Sequence, residues 1–191
     1  MKHLKMLGLA AVAMAILMAF AATASATNLT SPNGTTYTGS FQAESGSLVW
    51  EGAYTTITCA NSTLAGTVES HGAATTVGVK LSSLTFTSCN FPFTVSNPGS
   101  LEIHTEGSTA NGNGTITWSG MQLTMHTSVG SCVFTTSNTH IGTLTGSDVG
   151  KAQWHINAAK IPRTGGNFLC GSSSTLTGNY TVNTPSTLTV D

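Results

Sequence analysis

The sequence has very few charged side chains. Asp, Glu, Lys and Arg make up 7% of its 191 residues, and the formal net charge is −1, whereas about 25% of the residues of a typical soluble domain are charged. A protein that binds nucleic acid needs a basic surface to displace counterions from phosphates, so the composition excludes a general nucleic-acid partner. It also excludes a disordered chain, because 39% of the residues are hydrophobic and can form a core.

The sequence also lacks the patterns of helices and of familiar catalytic sites. After residue 26, apolar residues do not recur with the three-and-four spacing of an amphipathic helix. No G-x-S-x-G nucleophile motif occurs, and no glycine-rich loop opens a helix that could bind a phosphate. We therefore predict that the protein is not an enzyme and holds no cofactor.

The first 26 residues have the parts of a secretory signal peptide. A basic start is followed by an apolar run at residues 6–20 and by Ala24-Ser25-Ala26, the small residues at which signal peptidase cleaves. The apolar run has 15 residues, fewer than the roughly 20 that a helix needs to cross a bilayer. The sequence therefore predicts a signal peptide at residues 1–26 and no membrane anchor.

Removal of this peptide leaves residues 27–191, a length suited to a single domain. No second long apolar stretch follows in this part of the sequence. We predict one exported domain, located in the periplasm or outside the cell, with no transmembrane segment in the mature chain.

All four cysteines, at positions 59, 89, 132 and 170, lie in this domain. An even number of cysteines in an exported chain indicates disulfides, and four cysteines allow three pairings. We favour Cys59–Cys89 with Cys132–Cys170, because sequential pairing keeps each bridge within one half of the chain. A metal or redox site is the alternative, but the C-x-x-C spacing of such sites is absent.

Apolar and polar residues alternate in short segments throughout the domain. In residues 121–126 every second residue is Met or Leu, and in residues 151–158 the alternating apolar residues are Ala152, Trp154, Ile156 and Ala158. Turn-forming Asn, Gly and Pro residues separate these segments. Antiparallel strands joined by short turns are typical of a β-sandwich or a β-barrel, so we predict an all-β domain. Further predicted strands lie at residues 77–87, 139–145, 176–182 and 187–190.

One hairpin can be predicted individually. Residues 101–106 and 115–120 flank an Asn- and Gly-rich segment at 111–114. Asn-Gly favours the positive φ angles that two-residue hairpin turns require.

The group of titratable residues whose spacing best suggests a site is Glu102-x-His104-x-Glu106. Alternate residues of a strand share a face, so two carboxylates and an imidazole would form a row that could hold a divalent metal or transfer protons. The simpler interpretation is a solvated outer face opposite Leu101 and Ile103, and we favour it. The metal interpretation would gain support if His126 or His155 lay beside His104.

The aromatic residues suggest a second kind of site. Tryptophans and tyrosines on one surface could bind a sugar or a lipid, although Trp154 lies on the apolar side of its strand and is expected in the core. The residues concerned are Trp50, Trp118, Trp154, Tyr37, Tyr54 and Tyr180.

Several segments, taken in their order along the chain, resemble one protein family. They are the signal peptide, Thr58-Cys59 with Thr63-Leu64-Ala65-Gly66, Leu84-Thr85-Phe86-Thr87-Ser88-Cys89, Pro98-Gly99-Ser100-Leu101-Glu102-Ile103-His104, Ser131-Cys132-Val133 and Phe168-Leu169-Cys170. Together they resemble the small secreted bacterial proteins called activators of alkane oxidation. The resemblance covers most of the mature chain and implies an extracellular β-rich protein that helps cells to use hydrocarbons. It implies no catalytic residue.

The sequence is therefore compatible with two functions. The first is a non-enzymatic secreted or cell-surface protein that binds a hydrophobic ligand or adsorbs at an interface, and we favour it. The alternative is a metal-dependent or hydrolytic extracellular enzyme centred on Glu102, His104 and Glu106.

The small number of charged side chains also favours association of the protein with other chains or with surfaces. Uncharged edge strands are templates for pairing with another chain, and residues 115–118 and 187–190 contain neither lysine nor glutamate. We expect the protein to associate, with itself or with a surface, through such a strand. Pairing of residues 187–190 inside the sheet is the alternative, and for this strand we favour it.

The signal peptide yields the first testable prediction. We expect the exported protein to begin at Thr27, because cleavage follows the small residues at 24–26. N-terminal sequencing and intact mass of the exported protein measure this directly. A protein that keeps residues 1–26 after export would contradict the prediction.

Overall fold

The computed structural model describes residues 26–31, 33–69, 75–106, 112–128 and 130–191. The predicted signal peptide lies outside the described residues except for Ala26, and so do parts of the predicted turns near residues 32, 70 and 111.

The described residues form β-strands and one 3₁₀ helix. The elements are β1 (Leu29–Thr30), β2 (Gly39–Glu51), β3 (Thr56–Glu69), β4 (Val77–Cys89), β5 (Phe93–Asn97), β6 (Ser100–Thr105), β7 (Asn113–Ser119), β8 (Gln122–Thr127), β9 (Gly130–Thr135), β10 (Thr139–Thr145), β11 (Gln153–Gly166), the 3₁₀ helix (Phe168–Cys170), β12 (Ser173–Thr184) and β13 (Thr189–Val190).

Eight staves, each a long strand or two strands in line, form a closed antiparallel barrel. β2, β3, β4, β11 and β12 are single staves, and the pairs β5/β6, β7/β8 and β9/β10 form the other three. Staves that follow one another in the chain lie side by side, and β12 pairs with β2 to close the wall. This wall confirms the predicted all-β antiparallel fold. Of the two predicted architectures, the β-sandwich and the β-barrel, the structure shows the barrel.

Residues with special backbone geometry interrupt the three divided staves. Pro98 has no N–H to donate, and Gly99 next to it has a φ of 75°, so the chain bends between β5 and β6. Gly120, with a φ of 72°, separates β7 from β8, and Asn138, with a φ of 49°, precedes β10. Trp118 Nε1 donates to the Pro98 carbonyl oxygen at 2.8 Å, which links two of these breaks.

Most predicted strands agree with the structure. The predicted hairpin is present, because β6 and β7 pair with Ile103 opposite Ile116. The inward direction predicted for Ala158 is wrong. A bulge between Ile156 and Ala159 shifts the register, and Ala158, with a φ of 51°, turns outward while Ala159 is buried.

Four of the six residues considered for an aromatic surface are core residues, which confirms the expectation for Trp154. Trp50, Trp118, Trp154 and Tyr180 are fully buried inside the barrel. The ring of Trp154 stacks on Tyr180 with centroids 4.9 Å apart. The Tyr180 hydroxyl lies 2.7 Å from Ser62 Oγ, and burial raises the pKa of this phenol well above its ordinary value. These rings are core residues because barrel closure turns the inner face of every stave away from water.

The two strands predicted as exposed edges are both paired. β7, which contains residues 115–118, lies between β6 and β10. β13 pairs with β1, with Val190 opposite Leu29, and both residues are buried. The prediction of residues 115–118 as a free edge is therefore wrong, while the internal pairing favoured for residues 187–190 is confirmed.

Both predicted disulfides are present. Cys59–Cys89 joins β3 to β4, and Cys132–Cys170 joins β9 to the 3₁₀ helix. No helix within the described residues is long and apolar enough to span a membrane.

Gly142 provides a test of the barrel wall. A Cβ at this residue would lie 1.9 Å from the carbonyl oxygen of His155, and its φ is 149°. We therefore expect Gly142→Ala to lower the free energy of unfolding by about 3 kcal/mol, measured by urea denaturation. Gly46→Ala is the control, because nothing lies within 4 Å of its Cβ position. Equal stability of the two variants would contradict the prediction.

Candidate functional site: an apolar barrel mouth

Exposed apolar side chains are concentrated at one end of the barrel. The exposed large hydrophobic residues of the described chain are Tyr54, Val149, Phe168 and Leu169. Tyr54 is 72% exposed and Phe168 is 80% exposed. Tyr54 and Leu169 line one recess, and Phe168 precedes Leu169 in the 3₁₀ helix. We call this recess and its three exposed side chains the apolar mouth.

Two short segments present these side chains. The turn between β2 and β3 is closed by a hydrogen bond from Gly52 N to the Thr55 carbonyl oxygen at 2.9 Å, and it carries Tyr54 outward. The 3₁₀ helix begins after Asn167, whose Oδ1 accepts from Leu169 N at 2.9 Å. The cap leaves the side chain of Phe168 in solvent.

Covalent and polar contacts hold the 3₁₀ helix in place. The disulfide Cys132–Cys170 ties its last residue to β9. Arg163 Nε donates to the Gly171 carbonyl oxygen at 2.5 Å, and Arg163 Nη1 donates to the Gly166 carbonyl oxygen at 3.3 Å. Phe168 and Leu169 therefore project from an anchored segment, which limits the conformational entropy that binding would cost.

The recess is small, with a cavity volume of about 20 Å³. Its deeper wall is formed by Ile57, Met125 and Phe134, which are buried. The rest of the lining consists of Thr55, Thr127, the Cys132–Cys170 bridge and the turn that carries Tyr54. None of these lining residues is a carboxylate, a histidine or a lysine. The mouth can therefore make apolar contacts, but it has no pair of groups for acid–base chemistry.

The Glu102, His104 and Glu106 row is divided by the end of a strand. Glu102 and His104 lie on the outer face of β6, whereas Glu106 follows the last residue of that strand. Leu101 and Ile103 are buried on the inner face, as the simpler interpretation requires. Within the described residues, no three Asp, Glu, His or Cys side chains are grouped to hold a metal ion.

The other two histidines are not beside His104. His104 pairs with Thr115, Thr115 pairs with Thr143, and Thr143 pairs with His155. Three strand spacings, about 14 Å, therefore separate the two histidines. His126 lies in β8 and contacts Thr94 Oγ1 and Ser131 Oγ, each at 3.2 Å. Neither histidine can complete a site with His104.

Comparisons with protein-family models, curated proteins and solved structures found no match to this chain.

The sequence patterns did not identify the apolar mouth. In the sequence, Tyr54 falls among six aromatic residues of which the structure buries four, and Phe168 and Leu169 contribute only to the family resemblance. A signal was present, because two consecutive large apolar residues stand in a turn between Gly165-Gly166 and Gly171. Such residues in a turn are expected to be exposed, and an exposed apolar patch indicates an interaction site.

The divided acidic row leads to a prediction about metal. We expect the purified protein to carry no stoichiometric divalent metal at Glu102, His104 and Glu106, because only two of these side chains share one strand face. Elemental analysis of the wild type and His104→Ala would measure this. A stoichiometric metal that is lost in the variant would contradict the prediction.

Proposed function

We propose that this chain is an exported, non-enzymatic protein that adsorbs to apolar surfaces, in particular to an alkane–water interface, and so assists the use of hydrocarbons. The observation that carries the proposal is the exposure of Tyr54, Phe168 and Leu169 around one apolar recess. The two disulfides suit an exported protein, and the family resemblance supports the link to alkanes.

The size of the patch fits reversible adsorption. Removing a large apolar side chain from water contributes about 1.5–3 kcal/mol, so three such side chains supply several kcal/mol. No charged residue lines the recess, and adsorption there would not require a charge to leave water.

The barrel wall supplies the contrasting polar surface. Its outer face carries many hydroxyl side chains, as where Thr63 and Thr85 pair across β3 and β4 with their hydroxyl oxygens 2.6 Å apart. A polar wall with an apolar end makes the whole barrel amphiphilic. It would keep the wall in water while the apolar mouth contacts oil.

Adsorption can be tested at the apolar mouth. We expect Phe168→Ser to lower adsorption to a hexadecane–water interface about tenfold, because it removes the most exposed ring of the patch. Pendant-drop tensiometry over a protein concentration series measures the shift. Val149→Ser is the matched control, because Val149 is 99% exposed but lies between β10 and β11, outside the patch.

The two variants together decide the outcome. Weaker adsorption of Phe168→Ser, with Val149→Ser unchanged, supports the apolar mouth. Equal adsorption of both variants and the wild type would refute the proposal.

A further inference from the structure

One joint of the barrel wall has no backbone pairing. Among the described residues, β4 and β5 are neighbouring staves that share no ladder, since β4 pairs with β6 from Val77 to Lys80 and β5 pairs with β8. The joint is closed at both ends. Leu81 N donates to the Gly99 carbonyl oxygen at 3.2 Å at one end, and the short turn at residues 90–92 connects the strands at the other. We call this joint, which has no strand ladder, the seam.

Asn90 explains why β4 remains with β3 at the turn. Its Oδ1 accepts from Thr58 N at 3.0 Å, and its Nδ2 donates to the Thr56 carbonyl oxygen at 3.1 Å. β5 instead continues the β8 ladder, with Phe93 opposite Met125. The two strands therefore diverge from the same turn.

Apolar side chains line the seam. Phe86, Phe91, Phe93 and Val95 are partly buried against the core, and the rings of Phe86 and Phe93 face each other with centroids 5.0 Å apart. No charged residue occurs between Lys80 and Glu102. An apolar molecule could reach these side chains without displacing an ion.

The ring of a buried tryptophan packs against two aromatic residues of the seam. The ring of Trp50 is 5.9 Å from Phe93 and 6.2 Å from Phe86 by centroids. Trp50 is fully buried, and its Nε1 has no hydrogen-bond partner among the protein atoms. Trp118 differs, since its Nε1 donates to the Pro98 carbonyl oxygen. A buried N–H without an acceptor is unfavourable, so an acceptor brought through the seam would stabilise it.

We infer that the seam is a lateral binding site for a slender amphiphile with one hydrogen-bond acceptor, of the class of medium-chain linear alcohols. The alkyl chain lies against Phe86, Phe91, Phe93 and Val95, and the oxygen accepts a hydrogen bond from Trp50 Nε1. Widening the seam breaks side-chain contacts but no β4–β5 backbone hydrogen bonds, because none are present. The inference does not depend on adsorption at the apolar mouth.

The indole protons report binding directly. We expect 1-octanol to shift the Trp50 Nε1–H signal in a ¹H–¹⁵N spectrum of the full mature protein, with a saturable dose dependence. The signals of Trp118 and Trp154 should move far less. Octane should not reproduce the Trp50 shift, because it has no acceptor. If 1-octanol leaves the Trp50 signal unmoved, the inference is overturned. A buried water that already accepts the Trp50 Nε1–H hydrogen bond would give this result.

Matched variants test the role of each group. Trp50→Phe keeps an aromatic ring without the donor, and we expect it to weaken 1-octanol binding about tenfold, in line with the loss of one hydrogen bond. Trp154→Phe is the control, because its Nε1 is also unpartnered but its ring packs between Trp118 and Tyr180. Equal affinity of both variants would overturn the inference.

A second pair of variants separates the seam from the apolar mouth. Phe91 belongs to the turn at the seam and is only partly buried, so Phe91→Ser should fold and bind 1-octanol several-fold more weakly. Phe168→Ser should bind 1-octanol as the wild type does. If Phe168→Ser weakens binding and Phe91→Ser does not, the alcohol binds at the mouth and the inference fails.

Discussion

Closure of the barrel by pairing of β12 with β2 is the constraint on which the rest of the structure depends. A closed wall gives backbone N–H and C=O groups partners on both sides of a stave and leaves few edges exposed. Open sheets commonly protect their edges with lysine, proline or bulges. A closed barrel needs less of this protection, which accounts for a chain that folds with only 7% charged residues.

Closure also separates the two faces of every strand. Residues that alternate along a stave point either into a common core or into water. The inner face therefore collects three tryptophans and Tyr180, and the outer face collects threonines. Because the interior is filled with side chains, ligand contacts are left to places where the wall ends or separates. The apolar mouth is such an end, and the seam is such a separation.

The two proposed sites accordingly differ from an enzyme site in their side chains. The mouth presents exposed rings without a titratable pair, and the seam presents aromatic side chains beside a buried indole N–H. The proposed ligands are accordingly apolar: an extended oil surface at the mouth and single amphiphile molecules at the seam. Glu102 lies on the outer face of β6 where that strand pairs with both β4 and β7, and a solvated carboxylate there requires no further explanation.

The sequence by itself determined the fold class and which side of most strands faces the core, because alternation with period two and turn residues act over a few neighbouring positions. It favoured one of three cysteine pairings, and the structure shows that pairing. It could not place Ala158, where a bulge shifts the register by an interaction with β12. Nor could it show that Trp50 and Trp118 are core residues, since burial depends on which strands close around them. The apolar mouth joins Tyr54 to Phe168 and Leu169 across more than a hundred residues, and the seam exists because β5 pairs with β8 rather than β4. Only tertiary structure decides such features, because they arise from contacts between segments distant in the chain.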